Sequence, residues 1–307
     1  MLRQFFYFSS VAFLIRWIQI QKEGNTMIKE LKLIVADIDG TLVNEQRSMM
    51  PLTRKVLNDL HSRGILFGIA SGRPIGDHMR ERPRHWNLDF YPDFIIGMNG
   101  GQLEDHHTGT FEEFYKLQPE ALKEIIEFMS SFDVNPFIYL GEDQLLLKED
   151  ERSRESKERN KVNVYLAKDI SDFWQKDSSN ILFRLSSDSL MPAIEKHIAD
   201  HPSDKYIGYK TQSWLVEFND PRVNKGIALE AYCNERDIPL DSVMAFGDTS
   251  NDNALLETAG WSVCLKNGTD DTKAVADAIT EYDYNEDGVG RYLLEHVYPA
   301  FGWKIDK

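Results

Sequence analysis

The chain has 307 residues, 42% hydrophobic and 28% charged, which is enough apolar material for one large domain or two and the balance of a soluble globular protein. With 50 acidic against 35 basic side chains the net charge is -15, which works against a nucleic-acid partner; a small phosphorylated ligand stays open, because a local metal inverts the local field. Two cysteines, Cys233 and Cys264, are too few and too far apart for a disulfide scaffold or a CxxC site, and they fit a reduced, cytoplasmic setting.

Residues 1–26 stand apart. The apolar run from Phe5 to Leu14 is shorter than the ~20 residues a membrane span needs, and Arg16 interrupts the apolar residues beyond it. Arg3 precedes the run as in a signal peptide, but the run is not succeeded by a small-x-small cleavage pattern. The expectation is an extension outside the folded protein, with Met27 as the start and no membrane association. An anchor or signal is the alternative.

From Leu31 strand-like and helix-like blocks alternate. Residues 31–36 (LKLIVA) form a continuous apolar run, as expected of a strand buried on both faces. Over 52–63, Leu52, Val56, Leu57 and Leu60 share one helical face. Residues 65–70 and 94–98 read as two further buried strands, and the alternation predicts a parallel sheet with right-handed crossovers. The middle has a different texture. It shows an amphipathic helix over 119–131, a strand pair at 137–140 and 144–148, and a charged solvated helix or loop over 149–160. Next come a strand at 180–186, a helix at 189–200 and a closing strand pair at 205–210 and 214–218. The first texture then returns, with helices at 224–235 and 250–258, strands at 243–246 and 262–265, and helices near 271–279 and 289–297. The prediction is an α/β protein with a Rossmann-like, doubly wound parallel sheet. An α+β module, residues 114–215, is inserted between core segments 27–113 and 216–307.

Four clusters carry chemistry. Asp37-Ile-Asp39-Gly40-Thr41 ends the first strand, where open parallel sheets bind ligands. Residues two apart in a strand share a face, so Asp37 and Asp39 can converge, and two ionised carboxylates that close call for a cation, Mg²⁺ by ligand type. Gly247-Asp248-Thr249-Ser250-Asn251-Asp252 again comes after a buried strand. Asp248 could complete the metal site, while Thr249 or Ser250 could cap a helix and Asp252 could serve its dipole. Ser71-Gly72-Arg73-Pro74 offers a hydroxyl and backbone N–H groups for a phosphate, with Arg73 binding substrate or pairing with an acid. Lys225 opens a helix, either as a surface lysine or to neutralise a phosphate.

The ordered set DIDGTL, SGRP, NKG and GDTSND resembles the haloacid dehalogenase-like hydrolase superfamily, and more narrowly its Cof-type sugar-phosphatase branch, over about residues 30–300. Phe94–Gly101 resembles the family's strand and turn before its cap. The resemblance implies a Mg²⁺-dependent phosphatase of small phosphorylated metabolites, with Asp37 as nucleophile and Asp39 as acid and then base. Mg²⁺ would be held by Asp37, the Asp39 carbonyl and Asp248. Thr41, Ser71, Gly72, Arg73, Lys225 and Asn251 would face the phosphorylated substrate. Asp252 would orient Lys225 or lie behind the ligands, and the insert would be the cap. Two departures are visible: Lys266-Asn267-Gly268 stands where relatives carry a Gly-Asn-Ala-like turn, and extra residues lie around 82–92. A phosphomutase on the same architecture, or a phospho-ligand-binding protein without turnover, are the alternatives.

Other motifs read as structure. Asp283, Asn285 and Asp287 mimic half a calcium loop, but Leu294 occupies the twelfth position, so a turn is expected. His106-His107 is expected in a surface turn beside Gly109. No P-loop and no dinucleotide fingerprint occurs. Tyr139, Arg184 and Lys210, polar residues on the inferred cap strands, are candidates for specificity.

Overall fold

The computed structural model describes residues 27–160 and 162–305, and the expectation for residues 1–26 lies outside them. The chain divides into two compact units. One contains residues 27–69, Leu88–Phe90 and residues 229–305; the other contains Ala70–Asn87 and Tyr91–Ala228.

The first unit is built on strands hydrogen-bonded in the order Ala278–Ile279, Trp261–Cys264, Val243–Gly247, Leu33–Asp37, Leu66–Ala70. The first four are parallel to one another. All five residues of Leu33–Asp37 and of Val243–Gly247 are buried, which is why those segments read as unbroken apolar runs. Helix Pro51–Ser62 buries Thr53, Val56, Leu57 and Leu60. Its own N-cap residue, Met50, makes no side-chain cap. Asp287 serves instead: its carboxylate accepts from the Leu52 and Thr53 amides at 3.0 and 2.7 Å and from Thr53 Oγ1 at 2.6 Å. The helix expected near 271–279 is shorter, Asp270–Val275, and the chain returns to the sheet at Ala278.

The second unit holds an antiparallel meander and a mixed sheet in which Asp143–Leu146 and Val164–Leu166 pair in parallel. Phe94–Gly97, Gln102–Asp105 and Thr110–Glu113 form a meander; the latter two strands carried too many charges to read as strands from sequence. A six-stranded sheet runs in the order Ile207–Gln212, Leu215–Asn219, Asn180–Leu185, Val134–Leu140, Asp143–Leu146, Val164–Leu166. Helices Pro119–Met129 and Met191–Asp200 pack on one of its faces. Leu122, Ile125, Met129 and Ile194 meet Ile181, Phe183, Val216 and Phe218 there. The charged 149–160 stretch is the helix Glu151–Asn160. The extra residues near 82–92 make a 3-10 turn, Arg82–Trp86, that buries Trp86. Among the described residues no helix is long and apolar enough to cross a membrane.

Candidate active site

Parallel pairing sets Ala36 opposite Phe246, so Asp37 and Asp248 leave the sheet at the same edge. The chain turns sharply after Asp37, with the amides of Leu42 and Val43 both donating to the Ile38 carbonyl at 3.1 Å. Gly40 permits that turn. Its φ is +95°, and a Cβ there would lie 2.5 Å from Asp248 Oδ2, so any side chain would collide with the acid. Asp37, Asp248 and Asp252 are all buried. One carboxylate oxygen of each lies within 4.8 Å of the others. Three buried carboxylates that close place hard oxygen donors around one point, which suits a divalent cation. The residues present therefore fit the metal that the sequence resemblance implies.

Neighbours hold the acids in place. Thr41 Oγ1 donates to Asp248 Oδ1 at 2.7 Å, so the Thr41 hydroxyl is committed to a carboxylate. Asp252 Oδ2 accepts from the amides of Asp248 and Thr249 at 3.0 and 3.1 Å. The sequence left Asp252 between cap and site; the geometry gives it both positions. Asp39 is exposed just past the strand end, paired in a bridge with Val43. Asn251 is exposed, and its Oδ1 accepts from Thr249 Oγ1 at 2.7 Å. Asn267, left in doubt by the sequence, donates from Nδ2 to the Gly40 carbonyl at 2.9 Å, and its Oδ1 accepts from the Tyr284 amide at 3.3 Å. It steadies the turn that carries Asp39, from 227 residues away.

In the second unit Ser71, Gly72 and Arg73 meet the turn after Phe94–Gly97. The Ser71 amide donates to the Ile96 carbonyl, the Asn99 amide to the Ser71 carbonyl and the Met98 amide to the Arg73 carbonyl, at 2.9, 3.1 and 2.9 Å. Ser71 Oγ accepts from the Arg73 amide at 3.2 Å. Met98 and Asn99 both have positive φ, 51° and 54°, a costly backbone for residues with a Cβ and one that concentrates at functional sites. Gly100, at φ +101°, lets the turn touch the start of helix Lys225–Glu235: a Cβ there would lie 1.9 Å from the Asn224 carbonyl oxygen. Lys225 is fully buried at that helix start, which excludes the surface-lysine reading. Ser71, Gly72, Arg73 and Lys225 are thus collected around one turn. Asn99 belongs with them, and its only sequence signal was the Asn-Gly-Gly turn.

The calcium-like string is structural. Asp283 caps the 3-10 turn Tyr284–Glu286, and Asp287 caps helix Pro51–Ser62. His107 is exposed, but His106 is half-buried, its Nδ1 2.6 Å from the Pro92 carbonyl and its Nε2 2.7 Å from Glu104. Both cysteines are buried, and burial pushes each thiol up to about 12.

A parallel sheet edge carrying three buried aspartates, in a chain of two α/β units, defines a class. Residues 34–293 match the haloacid dehalogenase-like hydrolase family, and the chain belongs to it. It is a phosphoric monoester hydrolase. The chain is 25% identical to the 5-amino-6-(5-phospho-D-ribitylamino)uracil phosphatase YitU of Bacillus subtilis, over 86% of this chain and 97% of that protein. A haloacid dehalogenase-like hydrolase from Bacteroides thetaiotaomicron superposes with a TM-score of 0.74 at 22% identity, covering 87% of this chain and 100% of the other. A HAD subclass IIB sugar phosphatase superposes with a TM-score of 0.72 at 21% identity, covering 88% and 99%. These likenesses agree with the expected Cof-type branch and with an α/β core carrying a cap.

Proposed function

We propose that the chain is a Mg²⁺-dependent phosphatase of small phosphorylated metabolites, sugar phosphates foremost, working through a phosphoryl group carried on Asp37. The observation that supports this most directly is the buried trio Asp37, Asp248 and Asp252. The names of the Bacillus subtilis relative and of the subclass IIB sugar phosphatase support phosphate esters as substrates.

In this reading an Asp37 carboxylate oxygen attacks phosphorus, and the bond to the leaving oxygen breaks as Asp39 protonates it. A water then attacks the same phosphorus, Asp39 takes its proton, and the bond to Asp37 breaks. Asp39 must exchange protons in both halves, which its exposed position allows. The Ser71 hydroxyl, the amides of the Gly72–Arg73 turn and the Lys225 ammonium offset charge on the phosphoryl oxygens. Asp37, the Asp39 carbonyl and Asp248 would hold Mg²⁺, with Asp252 beside them; when bound it offsets the negative charge of carboxylates and phosphoryl group. Residues 114–215 act as the cap that contacts the leaving group and keeps water out of the first half-reaction.

The test is phosphate release from a panel of phosphorylated metabolites, with Mg²⁺ and with chelator. Wild-type release should require the metal, and Asp37→Asn should lower it by on the order of 10³-fold or more while remaining folded. Full turnover by the purified variant would remove Asp37 from the reaction. An isomeric sugar phosphate appearing without free phosphate would make the enzyme a mutase.

A further inference from the structure

Helices Pro119–Met129 and Met191–Asp200 cover one face of the six-stranded sheet, helix Glu151–Asn160 begins against the other, where Asn135 Nδ2 donates to Asp150 and the Arg152 guanidinium lies over Trp214, and strand register sorts the residues between the two faces. Arg184 lies opposite Leu215 and Asn135, Leu182 opposite Glu217 and Phe137, and Asn180 opposite Asn219. Tyr139 lies opposite Gln144, and Tyr209 opposite Glu217. Directly opposed residues, and residues two apart, share a face. Tyr139, Gln144, Arg184, Glu217 and Tyr209 therefore stand on the face turned away from helices Pro119–Met129 and Met191–Asp200. Lys210 sits opposite Val216, a residue of the helix-covered core, so it is separated from Tyr139 and Arg184.

Arg184 is the anomaly on that face. It is 4% exposed. Its Nη2 donates to Gln144 Oε1 at 2.8 Å, and its guanidinium lies 4.0 Å from the centroid of the Phe137 ring. Neither partner carries charge. Its Nη1 is buried and has no hydrogen-bond partner among the described residues. Asp150 favours its charge through space, while its own oxygens accept from Asn135 Nδ2 and the Ser153 amide at 2.5 and 2.6 Å. Burial works against the cation and pulls its pKa down. Glu217, the other charged residue of the face, is turned to the amides of Asn180 and Asn99, at 2.9 and 3.4 Å. A buried guanidinium with an idle donor and no contacting carboxylate is costly unless something else completes it.

The surroundings lead from Arg184 to the Ser71–Arg73 turn. Gln144, its hydrogen-bond partner, and Tyr139 line a cavity of about 40 Å³ together with Arg73, Pro74 and Glu142. Tyr139 and Pro74 also border a larger cleft of about 450 Å³, whose charged lining is mixed: Arg80 and Lys116 with Glu113 and Asp177. That volume suits a small organic group.

We propose that Arg184, presented by Gln144 and flanked by Tyr139, binds a second anionic group on the non-phosphorylated part of the substrate, so that phosphorylated acids or bisphosphates are favoured over neutral phosphate esters. This rests on the phosphatase reading above. A guanidinium held by one neutral hydrogen bond and one aromatic face keeps a donor for a carboxylate or phosphate oxygen, and such charge-assisted bonds are the strong ones.

The experiment compares kcat/KM for matched substrates. The pair 3-phosphoglycerate and glycerol 3-phosphate differs in a carboxylate; fructose 1,6-bisphosphate and fructose 1-phosphate differ in a second phosphate. Wild type should favour the more anionic member of at least one pair by roughly tenfold or more, and which pair responds identifies the anion. Arg184→Gln should bring that ratio to about one, mainly through KM, and Arg184→Lys should restore part of it. Gln144→Ala, which leaves the guanidinium but removes its anchor, should lower the ratio in the same direction. No preference in either pair, or a loss equal for both members in Arg184→Gln, would make Arg184 structural and overturn the proposal. If Arg184→Gln does not fold, the wild-type ratios and Gln144→Ala still decide. Wild type that releases phosphate from no ester, p-nitrophenyl phosphate included, would instead sink the phosphatase reading.

Discussion

Thr41 shows how much of the site depends on single hydrogen bonds. Its hydroxyl points at Asp248 Oδ1, 2.7 Å away, and with the amides around Asp252 it fixes the orientation of two acids in the trio. Thr41→Val keeps the shape and deletes that bond. Losing a group that orients a ligand typically weakens metal affinity by about 10–100-fold, so Mg²⁺ titration of the folded variant by calorimetry should show a fall in that range. Unchanged affinity would mean that the bond does not orient Asp248. Residues of this kind are hard to read from sequence. Asp37, Asp39 and Asp248 announce themselves because acids at strand ends are chemically conspicuous. Thr41 bonding Asp248 across 207 residues, or Asn267 bonding the Gly40 carbonyl, has no local signature.

At the scale of elements, helix Pro51–Ser62 and the C-terminal segment depend on each other. Pro51 suits the first turn because its missing N–H would be unpaired there anyway, but Met50 offers no side-chain cap. Asp287, at φ 67°, supplies it from the other end of the chain, and the Gly290 amide donates to Thr53 Oγ1 at 3.0 Å beside it. Asp287→Ala should destabilise by about 1–2 kcal/mol, the usual range for a lost cap. Thermal unfolding would register this as a drop of roughly 2–4 °C. A melting temperature unchanged within error would show that water replaces the carboxylate at no cost. The sequence had marked this Asp only as part of a calcium mimic that fails its final ligand. The helix itself was legible, since Val56, Leu57 and Leu60 repeat at its period; the origin of its cap was not. The hairpin over Gln102–Glu113 was illegible for a related reason. Charged residues such as Glu104, Asp105, Glu112 and Glu113 hide a strand whose pairing comes from its neighbours.

For the whole molecule, the thiols report on global folding. Cys233 and Cys264 are fully buried, and burial moves each thiol up to about 12, far from the ordinary range. The reactive thiolate is therefore scarce at pH 8, and access requires opening of the core. Iodoacetamide should leave the native protein unlabelled at pH 8 and label both cysteines in denaturant, read by intact mass. Rapid labelling of either one under native conditions would mean that its helix or strand opens locally.

The sequence by itself determined the class of fold, the strand ends that carry acids, and the family, because each rests on local pattern: unbroken apolar runs, helical periodicity, and short strings at fixed offsets. It also led to the expectation of an α+β module between two stretches of parallel texture. Only the tertiary structure decided that Lys225 is buried, that Asp252 stands within the acid cluster as well as capping a turn, and that Asp287 serves a helix rather than a metal. It alone set Arg184, with an idle donor, on one face of the six-stranded sheet and sent Lys210 to the other. The physical reason is common to all of these. Burial, register and hydrogen-bond partnership are properties of groups brought together from distant parts of the chain, and the residue type fixes only what each group can offer, never what it meets.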